Sequence, residues 1–424
     1  MKAIINVTIY DYLAYHPSSY VIFDKQIVAV GSMKNFKTDQ LEIIDGQGML
    51  LLPGLINFHT HIYSTLVRGL AIDAEPKDFK GILEDLWWRF DRQLTLEDLF
   101  ASAVRYGEAS LRAGVTAVID HNASGAIDGS LEALRKGIKE TLGMKGLFCF
   151  ETSDRFNVDH CIEENLRGIA NGDGLFGLHA SMTLSDETLS RVEKVLGETP
   201  IHIHVAESTM DEDKTLSKHH MSVVHRLGRY NLLNPGSLLA HCVHIDDEEA
   251  ALMAQNKCYV AINPSSNMNN AVGSFKYEKF RSHNIGVLVG TDGLGVNIAR
   301  AWQDLYYLGK NEMRDPSGIS LDEIRHHIIQ SYVYYGQVSG HKVGRIEADY
   351  DADMMLIDYK APTPMNEANV FAHIFYGVYD NLRPRHLFIE GKKKIEHFLL
   401  LEGFSGPYEK TEALWEKVRR EPWI

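Results

Sequence analysis

Eight short apolar segments, each separated from the next by a longer stretch with helical spacing, constrain the fold of this chain more than any other feature. Short apolar segments that alternate with helices are typical of parallel strands covered on both faces. Eight such strands are what a closed (β/α)8 barrel requires. We therefore predict an α/β fold with a barrel whose strands lie at residues 51–56, 115–119, 146–150, 175–178, 201–204, 237–240, 258–262 and 286–290.

The two ends of the chain have a different pattern. Residues 20–31 contain β-branched residues on either side of Asp24 and Lys25, which predicts a hairpin. Short apolar strands return near the C-terminus, at residues 353–358 and 386–392. We predict that residues 1–52 and 344–424 combine into one small composite β-sandwich domain, and that residues 53–343 form the TIM-type barrel.

Composition and charge exclude several classes of function. The 424 residues are 45% hydrophobic and 24% charged, so the chain can bury the large core of an ordinary globular protein. A net charge of −14 argues against a surface for nucleic-acid phosphates. The start of the chain lacks the apolar run of a signal peptide, and no segment approaches the roughly 18 apolar residues of a membrane span. We therefore expect a soluble cytoplasmic protein that binds neither nucleic acid nor membrane, with reduced, buried thiols at Cys149, Cys161, Cys242 and Cys258.

Titratable and polar residues follow the predicted strands in order along the chain. The active site of a (β/α)8 barrel lies at the C-terminal ends of its strands, so side chains at those positions meet at one rim. We therefore expect one site to be built from the residues that follow the successive strands: His59 and His61, His121, Glu151, His179, His204 and Glu207, His241, Asn263, and Asp292.

His59 and His61 form the first pair in this series. Residues two apart in an extended segment point to the same side, so both imidazoles can reach one ion. Neutral imidazole is a good ligand for zinc and for other transition metals. An isolated His-x-His in a loop is more often structural, but the position of this pair after the first predicted strand favours metal binding.

Five segments around these residues resemble the motifs of the amidohydrolase superfamily, in the expected order. Within the superfamily the chain looks nearest to the cytosine deaminases, guanine deaminases and chlorohydrolases, and it is most similar to the SsnA-type aminohydrolases. Residues 344–353 resemble the return of the chain into the composite β domain of the family. The motifs are Pro-Gly-Leu-Ile-Asn-Phe-His-Thr-His at 53–61, His-Ile-His-Val-Ala-Glu at 202–207, Leu-Ala-His-Cys-Val-His at 239–244, Asn-Pro-Ser-Ser-Asn at 263–267 and Gly-Thr-Asp-Gly at 290–293.

The resemblance implies a metal-dependent hydrolase in which one divalent ion, zinc or alternatively iron, manganese or nickel, is bound at the strand ends. It implies that Glu207 shuttles a proton, that His241 orients the reacting group and that Asp292 accepts a proton. The implied metal ligands are His59, His61, His204 and Asp292.

Two alternatives to this ligand set remain open. His202 faces the same way as His204 on its strand, although the spacing between His204 and Glu207 favours His204 as the third ligand. Two-metal members of the superfamily use a bridging Lys or Glu at the third or fourth strand end. No lysine follows those strands here, although Glu151 does, so we expect one ion.

The implied reaction is hydrolytic deamination of a planar nitrogen heterocycle, such as an aminopurine, pyrimidine or triazine, by a hydroxide that the metal makes available at neutral pH. Ring opening of a cyclic amide or purine-derived ring, and dechlorination, are alternatives at the same site. The retention of every ligand argues against a catalytically silent scaffold. The resemblance also implies a homodimer. The candidate substrate contacts are His179, Asn267, Arg155, Trp88 (or its neighbour Trp87) and His121.

Overall fold

The computed structural model describes residues 1–37, 40–72, 76–401, 403 and 409–420, so part of the segment 344–424 lies outside the described residues. Five strands come first: β1 (Lys2–Tyr10), β2 (Tyr15–Phe23), β3 (Ile27–Ser32), β4 (Glu42–Asp45) and β5 (Leu50–Pro53). The next eight are β6 (Leu55–Thr60), β7 (Val115–Asn122), β8 (Lys145–Phe150), β9 (Phe176–Ala180), β10 (Ile201–Val205), β11 (Leu238–His241), β12 (Tyr259–Ile262) and β13 (Gly286–Val289). The last four are β14 (Met354–Ile357), β15 (His386–Ile389), β16 (Lys392–Glu396) and β17 (Leu399–Leu400).

Helices separate the strands β6 to β13 and continue beyond them. The α-helices are α1 (Phe79–Gly81), α2 (Trp88–Asp91), α3 (Leu96–Arg112), α4 (Ser130–Arg135), α5 (Val158–Ala170), α6 (Asp186–Leu196), α7 (Thr209–His219), α8 (Val223–Arg229), α9 (Asp247–Gln255), α10 (Pro264–Asn269), α11 (Tyr277–Ser282), α12 (Ile298–Met313), α13 (Leu321–Ser339), α14 (Val370–His373) and α15 (Glu409–Arg420). Wider π-helical turns extend three of them, at Ile82–Trp87, Lys136–Thr141 and Ile374–Val378.

The eight strands β6 to β13 are parallel and lie in the order of the chain. One sheet has the order β6-β7-β8 and the other β9 to β13. Isolated parallel bridges between Thr60 and Asp292 and between Thr152 and Leu178 link the two sheets at both ends. Every residue of β7 is buried, as expected for a strand covered on both faces. The C-terminal ends of the eight strands therefore point toward the same side of the fold.

Seven of the predicted strands coincide with β7 to β13 to within three residues at either end. The predicted first strand, 51–56, is instead divided between β5 and β6 on either side of Gly54. Pro53 has no amide hydrogen with which to continue a ladder. At Gly54 the backbone approaches Thr116 so closely that a Cβ would lie 2.3 Å from its side chain. The apolar run continues through this break, so hydrophobicity alone does not reveal it.

The strands from the two ends of the chain form one nine-stranded sheet. Its order is β17-β16-β15-β14-β5-β1-β2-β3, with β4 paired to β1. The predicted hairpin joins β2 and β3, where Phe23 pairs with Ile27. Apolar side chains on this sheet, including Val21, Met354 and Phe388, form a core cluster separate from the large one around β6 to β13.

Helix α15 packs against the parallel-strand region. The indole nitrogen of Trp415 donates to the carbonyl oxygen of Leu66 (2.6 Å), and Arg89 Nη2 donates to that of Val418 (2.9 Å). Leu414 and Val418 are buried. The helix thus covers part of the segment that follows β6. Among the described residues, no helix combines the length and apolar composition that crossing a membrane requires.

Candidate metal centre and active site

The four side chains predicted to bind a metal meet at the C-terminal ends of the strands. His59 lies in β6, His61 directly after it, His204 in β10 and Asp292 after β13. Asp292 Oδ1 is 2.9 Å from His61 Nε2 and 3.6 Å from His59 Nε2. His61 Nε2 is 3.1 Å from His204 Nε2. His241, at the end of β11, also brings a ligand atom to within 4.8 Å of those of His59, His204 and Asp292.

Hydrogen bonds at the opposite ring nitrogens orient two of these imidazoles. His61 Nδ1 donates to the carbonyl oxygen of His121 (2.6 Å), and His204 Nδ1 donates to that of His179 (2.9 Å). A ring that carries its hydrogen on Nδ1 presents a lone pair on Nε2, which is the arrangement that metal-bound histidines need. Both Nε2 atoms therefore face the centre as potential ligands.

His202 lies one layer below the centre. Its Nε2 is 2.8 Å from His59 Nδ1, and its Nδ1 is 3.6 Å from the thiol of Cys149. His202 is fully buried, whereas His204 is 8% exposed at the rim. The two histidines predicted as alternatives for one ligand position thus occupy different places, with His202 behind His59.

The donor set fits a divalent transition-metal ion. His59 Nε2 is buried and has no hydrogen-bond partner among the described residues, and such an orphaned lone pair indicates a ligand position. Burial lowers the pKa of His59 to about 3 and that of His204 well below its usual value, so both rings are neutral at pH 7. Burial alone would also lower the pKa of His61, but Asp292 raises it to about 9. The carboxylate thus attracts positive charge to this point.

Glu207 and His241 stand beside the centre. Glu207 Oε2 is 3.7 Å from His241 Nε2, and burial raises the pKa of Glu207. His241 Nδ1 donates to Asn267 Oδ1 (2.8 Å). Its Nε2 is buried and has no hydrogen-bond partner within the described ranges. A carboxyl group and an imidazole nitrogen without a hydrogen-bond partner in the described part of the chain therefore lie together beside the centre.

Four residues at the strand ends have a strained backbone. Ala206, His241, Cys242 and Asp292 have φ values of 45°, 71°, 51° and 53°. Residues other than glycine adopt such left-handed values at a cost of about 1 kcal/mol or more, and they cluster at functional sites. Here they turn the chain so that His241 and Asp292 face the centre.

A pocket above the centre has an aromatic wall and a polar wall. Phe79, Trp87 and Trp88 contribute the aromatic wall, and Asp91 and Glu151 lie on the polar wall. A flat heterocycle can stack on such a surface while polar groups at its edge are recognised. The predicted substrate contacts Trp88 and His179 also line the pocket.

Arg155 lies behind the pocket. Its Nη2 donates to both Asp91 Oδ2 and Glu151 Oε1, each at 2.8 Å. The guanidinium carbon is 4.7 Å from the ring centres of Trp88 and of Phe156. Arg155 therefore holds two pocket carboxylates and an aromatic side chain in place.

The other two predicted contacts also lie behind the site. His121 is fully buried in β7 and donates from Nε2 to the carbonyl oxygen of Leu178 (2.9 Å). Asn267 contacts His241, as described above, and is 2% exposed. The structure thus brings Asn267 next to His241 and His121 next to His204, away from the pocket surface.

Sequence reasoning missed several pocket residues, among them the polar Asp91, Ser266 and Asn270. Ser266 Oγ donates to Asp292 Oδ2, and Asn270 Nδ2 donates to Glu207 Oε1 (3.2 Å). Ser266 stands inside the Asn-Pro-Ser-Ser-Asn motif and Asn270 three residues after it, so the motif was a signal for both. Asp91 ends helix α2 between Phe90 and Arg92 and carries no local signal.

Comparisons with known proteins find a matching family and similar sequences. A model of the Amidohydrolase family matches residues 50–394. The chain is 28% identical over 368 residues to 5'-deoxyadenosine deaminase of Methanococcus maripaludis, which covers 83% of this chain and 85% of that protein.

Two zinc-containing crystal structures resemble the chain. An adenosine deaminase from Xanthomonas campestris superposes with a TM-score of 0.80 at 18% identity, covering 98% of this chain and 97% of the other. Atrazine chlorohydrolase TrzN from Arthrobacter aurescens superposes with a TM-score of 0.78 at 19% identity, covering 99% and 100%. The fold is accordingly of the TIM-barrel α/β type. Because the family model spans most of its length, this chain belongs to the Amidohydrolase family.

Proposed function

We propose that the protein is a hydrolytic deaminase of a planar nitrogen heterocycle of the aminopurine, pyrimidine or triazine type. The observation that carries this proposal is the meeting of His59, His61, His204 and Asp292 with the Glu207–His241 pair beneath an aromatic pocket. The relatives that the chain resembles in sequence and in fold include deaminases of adenine-containing nucleosides by name.

We propose that one zinc ion is held by His59, His61, His204 and Asp292. When bound, such an ion lowers the pKa of water to about 7 and so supplies hydroxide at neutral pH. Glu151 is the alternative that bears on a second ion: its Oε1 accepts from Arg155, yet it also brings a ligand atom to within 4.8 Å of those of His179 and His204. Iron, manganese and nickel accept the same donor set.

The protein side chains handle the protons of the reaction. Glu207 Oε2 transfers a proton to a ring nitrogen of the substrate while water attacks the adjacent carbon. His241 Nε2, 3.7 Å from Glu207 Oε2, hydrogen-bonds the attacking oxygen and orients it. Asp292 accepts one proton of the attacking water, and Glu207, having given its own proton to the ring nitrogen, accepts the other. One of these two protons leaves with the amino group as ammonia, and the other leaves Glu207 protonated again. The ring then carries a carbonyl group where the amino group was.

The pocket residues divide into contacts and supports. We propose that His179 hydrogen-bonds the substrate and that Trp88 stacks on its ring, because both line the pocket. Arg155, Asn267 and His121 support the site from behind, since each of them hydrogen-bonds a protein group.

At the level of the whole chain, we propose that the linked sheets of β6 to β13 close into a barrel at residues 53–343. The ends of the chain, 1–52 and 344–424, form a composite β sandwich. The protein is a cytoplasmic homodimer. Bridges at both ends of the two parallel sheets support closure. Four buried, unpaired cysteines support a reducing compartment, and the dimer rests on family resemblance alone.

An ammonia-release screen of the zinc-loaded protein tests the proposal. The panel contains aminopurines and their nucleosides, aminopyrimidines, aminotriazines, chlorotriazines and oxidised purines. We expect ammonia release with the ring intact by ultraviolet spectroscopy and mass spectrometry. Loss of the ring chromophore would assign ring opening, and chloride release from a chlorotriazine would assign dechlorination. No turnover across the panel would contradict the proposal.

A further inference from the structure

The short helix α10 follows β12. Two of its residues and its C-cap residue, Asn270, hydrogen-bond three side chains of the proposed site. Ser266 Oγ donates to Asp292 Oδ2. Asn267 Oδ1 accepts from His241 Nδ1 (2.8 Å), and Asn270 Nδ2 donates to Glu207 Oε1 (3.2 Å). Ser266 and Asn270 are four residues apart, so they lie on the same face of the helix.

The orientation of the Asn270 amide is set by its neighbours. Asn269 Nδ2 donates to Asn270 Oδ1 (3.0 Å), which leaves the two N–H groups of Asn270 facing the site. One of them is directed to Glu207 Oε1 and the other to Ser266 Oγ (3.3 Å). Ser266 can accept from Asn270 and still donate its hydroxyl hydrogen to Asp292. A continuous chain of hydrogen bonds thus connects the two carboxylates.

We propose that Ser266 and Asn270 are positioning residues. Each holds one oxygen of a carboxylate by a hydrogen bond, so that the other oxygen of that carboxylate is directed to the reaction. Asn270 holds Glu207 Oε1 as an acceptor, which leaves Oε2, the oxygen facing His241 Nε2 at 3.7 Å, to carry the transferred proton. Ser266 holds Asp292 Oδ2, which leaves Oδ1 toward His59 and His61.

This inference rests on the proposed function, since it concerns the proton steps at the same site. Glu207 and Asp292 are largely buried, with side chains 12% and 13% exposed. A carboxylate that can rotate there would present either oxygen to the substrate, and a donor on one oxygen removes that freedom. A purely structural role for Asn270 also has to be considered, because its backbone N–H caps α10 on the Ser266 carbonyl (2.8 Å).

Replacing the amide by a carboxylate of the same shape separates the two roles. Asn270→Asp keeps the size and the backbone cap but places an acceptor against Glu207. We expect kcat to fall about 100-fold or more, since like charges then face each other. Asn270→Ala should lower kcat about 10- to 100-fold, the value of one hydrogen bond to a charged group. KM should change less than about threefold, because a positioning residue acts mainly on the transition state. Met268→Ala, an exposed position on the same helix, should stay within about twofold.

Zinc content and melting temperature accompany each kinetic measurement. We expect Asn270→Asp to keep its zinc and to melt close to the wild type. If Asn270→Asp retains at least half of the wild-type kcat, Asn270 has only a structural role and the inference is wrong. In Ser266→Ala/Asn270→Ala, the combined loss should be smaller than the product of the single losses, because Asn270 donates to Ser266. Losses that multiply fully would contradict a shared clamp.

A crystal structure of the zinc-loaded Asn270→Ala variant keeps this test separate from that of the proposed function. We expect the Glu207 carboxylate to rotate so that Oε2 no longer faces His241. An unchanged Glu207 overturns the inference whatever the substrate is. Absence of wild-type turnover, with Glu207 displaced in the variant, overturns the proposed function alone.

Discussion

Two histidines on one strand differ in depth rather than in direction. His202 and His204 both point inward from β10, yet only His204 approaches His61 and Asp292, whereas His202 stands against the far side of His59. In the sequence, the spacing between His204 and Glu207 favours His204 as the ligand. The contact between His202 and His59 cannot be read from the sequence in this way, because the two residues are 143 positions apart. The proposed metal ligand His204 and the residue behind His59, His202, thus occupy successive inward positions of β10.

We expect His204→Asn to abolish stoichiometric zinc binding, because it removes one of the four proposed ligands. We expect His202→Asn to retain the site but to weaken zinc binding by about 10- to 100-fold, the usual effect of removing a partner of a ligand. Plasma mass spectrometry of zinc and chelator competition measure both. Equal zinc loss in the two variants would contradict the assignment of His202 to the layer below.

Glu207→Gln keeps the size of the side chain and removes its ability to transfer a proton. Because Glu207 does not belong to the proposed ligand set, we expect zinc content to stay near one per chain. Turnover should fall by about 100- to 10,000-fold, the usual range for a lost general acid or base. Steady-state ammonia release on a substrate found in the screen measures this, and an unchanged rate would rule out the shuttle.

At the scale of elements, helix α8 supports the segment that follows β9. That segment lines the pocket. Arg226 on α8 is buried and donates to the carbonyl oxygens of Ser181 (2.8 Å) and Leu184 (2.7 Å) and to Asp186 (2.8 Å). Met182, in the same segment, lines the pocket. One guanidinium thus satisfies carbonyl groups that a short loop cannot satisfy by itself.

Arg226→Met leaves these buried acceptors without their donor, so we expect the free energy of unfolding to fall by about 3 kcal/mol. We also expect KM to rise more than kcat falls, because the pocket wall loosens while the metal ligands stay in place. Arg229→Met, at an exposed position of the same helix, is the matched control. Identical melting temperatures for the two variants would show that α8 does not support this segment.

At the scale of the whole molecule, a buried ion cluster joins the parallel strands to the terminal sheet. Lys145, at the start of β8, is 2.7 Å from Asp353, 3.3 Å from Asp351 and 3.7 Å from Glu390. The side chains of Lys145 and Asp353 are at most 5% exposed. The cluster lies at the opposite end of β8 from the active site, so it should contribute to stability rather than to chemistry.

Lys145→Met leaves buried carboxylates without their cation, and we expect the free energy of unfolding to fall by about 3–5 kcal/mol. Lys136→Met is the control, because it removes an exposed lysine that lies 3.9 Å from Glu132. It should change the free energy of unfolding by less than about 1 kcal/mol. Thermal melting and denaturant titration of the zinc-loaded proteins measure the difference. A Lys145→Met protein as stable as the control would contradict a joining role for the cluster.

The sequence by itself determined which residues stand at the C-terminal ends of the strands, because apolar runs and the order of motifs are local patterns. His59, His61, His204, Glu207 and Asp292 were identified in this way. Only the tertiary structure decided that β5 and β6 separate at Gly54 and that Arg155 pairs with Asp91, 64 positions away, instead of facing the pocket. It also decided that Ser266 and Asn270 hydrogen-bond Asp292 and Glu207. The physical reason is that these contacts join segments whose distance along the chain is unrelated to their distance in space, so no local pattern encodes them.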